Sequence, residues 1–333
     1  MEKKSGSNNE KENLVKEAQK LMEEKGKKAL KLAEKIVLNE KIECKEIKEA
    51  LRYFITTYWQ DLARPTLISL CCEAVGGSSE VTTPFAVSLS LISGAIDIHD
   101  DIIDDTKIKF KKPTIYGRYG REVALLISDA LLFKGFILLC EACTKISSKK
   151  AKKIMDLINA TFYELGDAEA LELDFRGKLN IDLKKYLKVI EKKAADVEAH
   201  TRIGAILGDG TEEEINALGR FGRLLGMIIL VRDDYIDALN PTELLVRIKK
   251  ESPPLAFVYS MQKPQTREIF RNITRYGLTK KSIKKVIDII EEAGGFRYQL
   301  QLLNQLFEKA TRELKILKTN KELRKFLQAT CLF

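Results

Sequence analysis

Apolar residues recur at steps of three and four along nearly the whole chain, the period of an amphipathic helix rather than a strand. The pattern starts at Asn13, suited to an N-cap, and runs to Leu38. It resumes over Cys44–Trp59 and over Arg64–Val75, where Pro65 fits a first helical turn. Gly76-Gly77-Ser78-Ser79 reads as a loop. From Thr82 to about Ile108, the residues Phe85, Leu89, Ile92, Ile96 and Ile103 mark one face of a single helix of about seven turns. Lys111-Lys112-Pro113-Thr114 ends it. Helices follow over about 119–146, 149–175, 182–208, 212–239, 242–250, 254–262, 265–276, 280–294 and 297–318, with a short last one to about 329. No segment alternates for long, and no internal repeat or low-complexity linker interrupts the pattern. The reading is all-α: a disordered charged tail over 1–12, then one domain over 13–333, a helix bundle able to enclose a central cavity.

Composition narrows this only slightly. The 333 residues are 45% hydrophobic and 32% charged, a globular balance, and seven prolines argue against an all-β fold. The net charge of +9 points to an anionic partner or to a solvated lysine-rich surface. The best candidate for a membrane span, Val123–Cys143, carries Asp129 and Lys134 and falls short of one; the start has no apolar core of a signal peptide. Cys140 and Cys143 form a CxxC inside an apolar helical run and read as buried thiols in a reducing cytoplasm, so a cytoplasmic protein is expected. Only His99 and His200 are present, too few for a histidine-rich zinc site, and no pattern reads nucleic acid. His99 reads as a satisfied buried histidine rather than a catalytic base.

Chemistry concentrates in two aspartate clusters. In His99-Asp100-Asp101-Ile102-Ile103-Asp104-Asp105, Asp100 and Asp104 lie about 40° apart around a helix, with Asp97, Asp101 and Asp105 fanned beside them. So many like charges repel, and a cation is needed to relieve them. Asp233-Asp234-Tyr235-Ile236-Asp237 repeats the spacing on another long helix, where Asp233 and Asp237 share a face with Gly219, Gly222 and Gly226. That glycine row either leaves space beside the carboxylates or permits tight helix packing. Two DDxxD-type clusters facing each other would hold hard cations through oxygen, which means Mg²⁺, and Mg²⁺ favours phosphate-bearing ligands.

With ARPTLISLCCEAVGG at 63–77, IHDDIIDDT at 98–106, KPTIYGRYG at 112–120, SDALL at 128–132 and RDDYID at 232–237, the chain resembles the trans-isoprenyl diphosphate synthases, the polyprenyl synthetase family, over about 45–295. The resemblance implies an isoprenoid-synthase-type helix bundle, usually a homodimer. It implies an allylic prenyl diphosphate held through three Mg²⁺ ions, ionised, and condensed with isopentenyl diphosphate. Carried over by position, it makes Asp100, Asp101 and Asp104 ligands of the first metal pair, and Asp233, with Asp237 through water, ligands of the third. Lys193 in IEKKAAD falls on the allylic diphosphate, and Lys109 stands where the family has the first of two arginines.

Departures from the family pattern cluster around the isopentenyl diphosphate site. Its Gly-Gly-Lys-Arg reads Trp59-Gln60-Asp61-Leu62, its histidine ahead of the first motif is Ser93, and its second arginine is Phe110. Each lost charged hydrogen bond costs about 1.5–3 kcal/mol. The Gly-Lys segment after the second motif is shortened to ALNPTELLVRIKKESPP, where Lys249 or Lys250 would replace the family's later lysine, and Arg232 is a new cation beside the motif. Three readings follow. The chain is a divergent Mg²⁺-dependent prenyltransferase whose acceptor meets other cations, among them Arg64, Arg118, Arg232, Arg247 and Lys250, or carries no diphosphate. It is a class I terpene synthase or allylic diphosphate lyase, with Trp59, Phe110 and Tyr235 as cation-stabilising rings or as plain core aromatics. Or it is a non-catalytic partner subunit, which the intact first motif argues against. The first is preferred, because the second cluster keeps the Asp-Asp-x-x-Asp form of the synthases. From Asp100 the helix face continues through Ser93, Leu89 and Ala86 with Ile96 alongside, roughly 16 Å to Leu89, the length of a tail of about three to five isoprene units; the same stripe could equally serve helix packing.

Overall fold

The computed structural model describes residues 3–109, 111–279 and 281–332, with side chains from residue 12 onward. The chain is helical nearly throughout. In order come α1 (Lys3–Leu38), α2 (Lys45–Tyr53), α3 (Ala63–Ala74), α4 (Thr83–Ile103), α5 (Ile115–Cys143), α6 (Ser148–Leu173), α7 (Leu183–Lys193), α8 (Ala195–Leu207), α9 (Glu212–Leu239) and α10 (Pro241–Lys250). Then follow α11 (Leu255–Ser260), α12 (Pro264–Ile273), α13 (Ser282–Glu292), α14 (Gly295–Glu313) and α15 (Lys321–Thr330). Helix α1 is already formed over the residues read as a tail, a lysine- and glutamate-rich stretch without proline. The described strands are β1 (Ile108–Lys109) and β2 (Lys112–Pro113), an antiparallel pair.

Contacts divide the chain into two compact units. The first comprises the described residues of Met1–Asp156, His200–Ile215 and Leu317–Lys325; the second, those of Leu157–Ala199, Asn216–Ile316 and Phe326–Phe333.

In the first unit α4 is the core helix, burying Phe85, Leu89, Ile92, Ala95, Ile98 and Ile102. It lies close against α5: a Cβ on Gly135 would stand 2.6 Å from Ile92 Cγ1 and 3.0 Å from the Ser88 carbonyl. Both α4 and α5 are long and apolar enough to cross a membrane. For α5 this corrects the expectation, since Asp129 and Lys134 do not bring its hydropathy below that of a span. Burial accounts for α4, whose apolar window is 72% buried, but the window of α5 is only 33% buried. Leu126, Phe133 and Ile137 stand exposed on α5.

Two expected helices end or break early, each for a visible reason. Helix α4 stops at Ile103, not Ile108. Asp105 takes a left-handed conformation (φ 55°), Thr106 N–H donates to the Asp101 carbonyl at 2.8 Å, and Asp105 N–H reaches the Ile102 carbonyl at 3.4 Å. This is a Schellman stop with aspartate in the position glycine commonly fills. The helix expected over 182–208 breaks at Ala194, in the second unit. There Arg223 takes the Glu191 carbonyl at 2.7 Å, and Gly226 of α9 packs so tightly that a Cβ would stand 2.8 Å from the Ala194 Cβ. Of the glycine row on α9, Gly226 thus serves close packing.

The second unit's core is built from Leu244, Ile248, Phe257, Phe270, Val286, Ile290 and Phe296. Phe257 and Phe270 meet edge to face, 5.2 Å between centroids.

Candidate active site

The early stop of α4 decides what the first cluster can do. Asp104 becomes the C-cap, so Asp100, Asp104 and Asp105 gather where the helix's unpaired carbonyls already concentrate negative charge. Carboxylates at a helix C-terminus are unfavourable alone and favourable around a cation. Tyr116 donates its hydroxyl to Asp105 Oδ1. Asp97 and Asp101 lie on the adjoining face and meet Lys109. Lys109, carried back over α4 by the β1–β2 hairpin, sits 2.7 Å from Asp97 Oδ1 and 3.7 Å from Asp101 Oδ1. Tyr58 donates its hydroxyl to Asp101 Oδ2 at 3.0 Å. Asp101 is 2% exposed, and burial pushes its carboxyl up to about 7 against the pull of Lys109. Burial opposes the Lys109 charge, but Asp97 and then Asp101 outweigh it and hold the ammonium above its usual range. The hairpin itself is tied down by Tyr53 Oη to the Pro113 carbonyl (2.7 Å), Lys112 Nζ to the Thr57 carbonyl (2.9 Å) and Thr114 Oγ1 to the Thr106 carbonyl (2.8 Å).

Residues 54–58 form a π-helical turn where a regular helix is expected, closed by Trp59 N–H on the Phe54 carbonyl at 2.8 Å. This turn fits over α4 only because residue 94 is glycine: a Cβ there would meet Phe54 Cζ at 2.7 Å. Trp59 is buried and stacked on Phe54, with Arg64 above its ring at 6.0 Å. Asp61 binds Arg64 Nη1 at 2.7 Å and accepts the Ala63 N–H at 2.8 Å, so it both caps α3 and claims the neighbouring guanidinium. Ser93 is buried in α4, as are Leu89 and Ala86, and Ile96 is half-buried. Phe110 lies outside the described residues. His99 is half-buried rather than buried; its Nε2 hydrogen-bonds Ser128 Oγ at 2.8 Å and approaches Asp129 at 3.3 Å, so it is satisfied as expected.

In the second unit the middle carboxylate of the second cluster is an anchor. Buried Asp234 accepts from Arg247 Nη2 (2.7 Å), from the Leu255 N–H (2.5 Å) and from Tyr186 Oη (3.1 Å), which also reaches the Pro253 carbonyl at 2.9 Å. Burial raises the Asp234 carboxyl, and Arg247 and the Leu255 amide pull it back. Arg247 also holds Asp237 at 2.9 Å and the Ser252 carbonyl at 2.8 Å. Asp233 is different: its side chain is 54% exposed, and it is met by the guanidinium of Arg232 at 2.7 Å. Lys193, at the end of α7, is held by Glu169 at 2.9 Å and by Glu172. Glu172 in turn acts electrostatically on both Tyr186 and Arg247, so Lys193 and the second cluster belong to one charged neighbourhood. Lys250 is exposed at the end of α10.

Sequence reasoning missed Tyr58, Tyr186, Glu169 and Glu172. Tyr186 shares a face of α7 with Lys193, and Glu169 and Glu172 are one turn apart on α6, the only advance signals they offered. Among the described residues no group of three histidine, cysteine or acidic side chains converges closely enough to hold a metal as it stands. The donors do suit a hard cation: every candidate is a carboxylate oxygen, and the C-terminal carbonyls of α4 add to the first set.

The sequence model of the polyprenyl synthetase family matches residues 44–291. The chain belongs to the polyprenyl synthetase family. Its enzyme class is that of the prenyltransferases, and members of the family generally depend on Mg²⁺. Among its relatives is a geranylgeranyl diphosphate synthase of Methanosarcina mazei, 27% identical over 281 residues, covering 82% of this chain and 84% of the relative. A short chain isoprenyl diphosphate synthase of Methanothermobacter thermautotrophicus is 30% identical over 243 residues, 71% of this chain and 74% of the relative. The all-α fold matches the crystal structure of geranylgeranyl pyrophosphate synthetase from Pyrococcus horikoshii with a TM-score of 0.83 at 24% identity, over 96% of this chain and 97% of that one.

Proposed function

We propose that this polyprenyl synthetase ionises an allylic prenyl diphosphate with Mg²⁺ and condenses the prenyl group with isopentenyl diphosphate or another acceptor. The observation that carries this reading is the retention of both carboxylate clusters in a chain of this family: Asp100 and Asp104, half-buried at the end of α4, and the more exposed Asp233 on α9. These residues would hold the metals, with Asp237 behind Asp233. Bound Mg²⁺ would neutralise the leaving diphosphate. Lys193 would bind the allylic diphosphate once Glu169 and Glu172 yield it. Asp101 and Lys109 support this work through each other, Asp101 from behind the ligands and Lys109 by steadying it.

The acceptor side is rebuilt. Asp61 and Arg64 neutralise each other, so the corner offers a diphosphate less positive charge than an arginine alone would. Relatives named as geranylgeranyl and short-chain isoprenyl diphosphate synthases favour chain elongation over cyclisation. A product of about fifteen to twenty-five carbons fits the length of the α4 face. A second copy of the chain would cover the apolar face of α5 left by Leu126, Phe133 and Ile137, giving the homodimer.

A product assay tests the reading. Purified protein with Mg²⁺ and geranyl, farnesyl or geranylgeranyl diphosphate should yield longer prenyl diphosphates only when isopentenyl diphosphate is added. Asp100→Ala and Asp233→Ala should each abolish that turnover. Hydrocarbon or alcohol products indifferent to isopentenyl diphosphate would overturn it.

A further inference from the structure

Each carboxylate cluster carries an internal cation, but Arg232 stands apart from Lys109 and Arg247. Its partner Asp233 is the most exposed carboxylate of the second cluster, the one a solvent cation can reach most readily. Its planar guanidinium is also shared. Nε and Nη2 donate to Asp233 Oδ1 at 2.9 and 2.7 Å, while Nη1 donates to the Thr330 carbonyl, at the end of α15, at 3.1 Å. The bonds issue from one rigid plane, so the group cannot leave Asp233 and keep its place on Thr330 unless the end of α15 moves with it. A divalent cation on the Asp233 carboxylate would compete with the guanidinium for its negative charge and repel it.

We propose that Arg232 is a positioning residue that couples occupancy of Asp233 by a divalent cation to release of the Thr330 end of α15. The coupling rests on the prenyltransferase reading, in which Asp233 is a metal ligand. It also has a consequence for the reaction: the arginine freed from Asp233 becomes available, beside the metal, to a diphosphate.

Hydrogen exchange on the full chain tests this, with Mg²⁺ and inorganic diphosphate as the probe and far-UV circular dichroism confirming that each variant is folded. In the wild type, exchange over 326–332 should quicken about two- to fivefold on adding the probe, the range expected for loss of one partly exposed ion pair. In Arg232→Gln and Arg232→Lys the segment should already exchange at the faster rate and ignore the probe. Lysine keeps the charge but loses the fork, so it separates a bridging role from charge alone. Mn²⁺ should bind Arg232→Gln about two- to fivefold more tightly than the wild type. Variants that leave 326–332 at the wild-type rate would overturn the coupling. So would a wild-type preparation that elongates prenyl diphosphates while its exchange is unmoved by the probe, and the prenyltransferase reading would survive that result. A protein with neither turnover nor metal binding would remove both.

Discussion

Replacing Arg247 with methionine keeps much of the side chain's length and removes its charge. The guanidinium, 16% exposed, makes contacts of 2.7 Å to Asp234, 2.9 Å to Asp237 and 2.8 Å to the Ser252 carbonyl. Deleting it strands Asp234, whose other partners are one amide N–H and one tyrosine hydroxyl, dipoles that cannot neutralise it. Removing one partner of a buried pair costs about 3–5 kcal/mol, and we expect Arg247→Met to lose that much. Adding Asp234→Asn to it removes the stranded charge while keeping an oxygen for Leu255 N–H and Tyr186 Oη, so the double variant should recover about 1–2 kcal/mol. Urea denaturation followed by far-UV circular dichroism at pH 7.5 measures both. The cost of the single variant should shrink as pH falls, because burial already favours the protonated Asp234 and a neutral carboxyl is no longer a stranded charge. A loss below about 1 kcal/mol, or a double variant no better than the single one, would refute the account of Asp234 as a charge held by Arg247.

Three further outcomes follow from the geometry. Asp61→Asn keeps an oxygen for the Ala63 N–H but removes the carboxylate charge paired with Arg64, and the KM for isopentenyl diphosphate should fall severalfold; an unchanged KM would mean that Arg64 does not face the acceptor. Gly226→Ala drives a methyl into Ala194 beside Lys193 and should cost about 1–3 kcal/mol together with a raised KM for the allylic diphosphate, checked by denaturation and steady-state kinetics. Burial lifts Asp101 to about 7 from an ordinary 3.8, so the folded protein holds more protons than the unfolded chain between those values. Metal-free stability should therefore decline as pH rises from about 4 to about 7, by up to about 4 kcal/mol, and a constant difference between wild type and Asp101→Asn over that range would count against it.

The helical architecture was legible because the three-and-four periodicity runs through most of the chain, and most of the major helices lie within a few residues of their expected ends, α1 apart, which begins at Lys3 rather than Asn13. The interior ends that moved are set by groups distant in sequence or by backbone sign. Nothing in the periodicity of 99–108 announces a left-handed aspartate at 105, and nothing in 182–208 announces that Arg223 will take a carbonyl from Glu191. The aspartate clusters were equally visible, but not the division of labour within them. Spacing treats Asp100 and Asp101 alike, and Asp233 and Asp234 alike. The structure separates them by burial, since neighbouring residues on a helix point about 100° apart. In each pair the second aspartate turns inward, to Tyr58 and Lys109 in one unit and to Tyr186 and Arg247 in the other. The same holds for Arg64, whose neutralisation needs the side-chain geometry of Asp61 and not only its presence.

Trp59 is the chain's only tryptophan, and its buried indole N–H meets no hydrogen-bond partner among the described residues. Its ring stacks on Phe54, and the Arg64 guanidinium lies 6.0 Å from its centroid. Intrinsic emission excited at the red edge is therefore a signal from a single corner of the protein, the one where Asp61 and Arg64 are paired. An anion that drew Arg64 away would change the field across the indole and shift its emission. Acceptor screening can thus be run as a label-free optical titration, on compounds that never react.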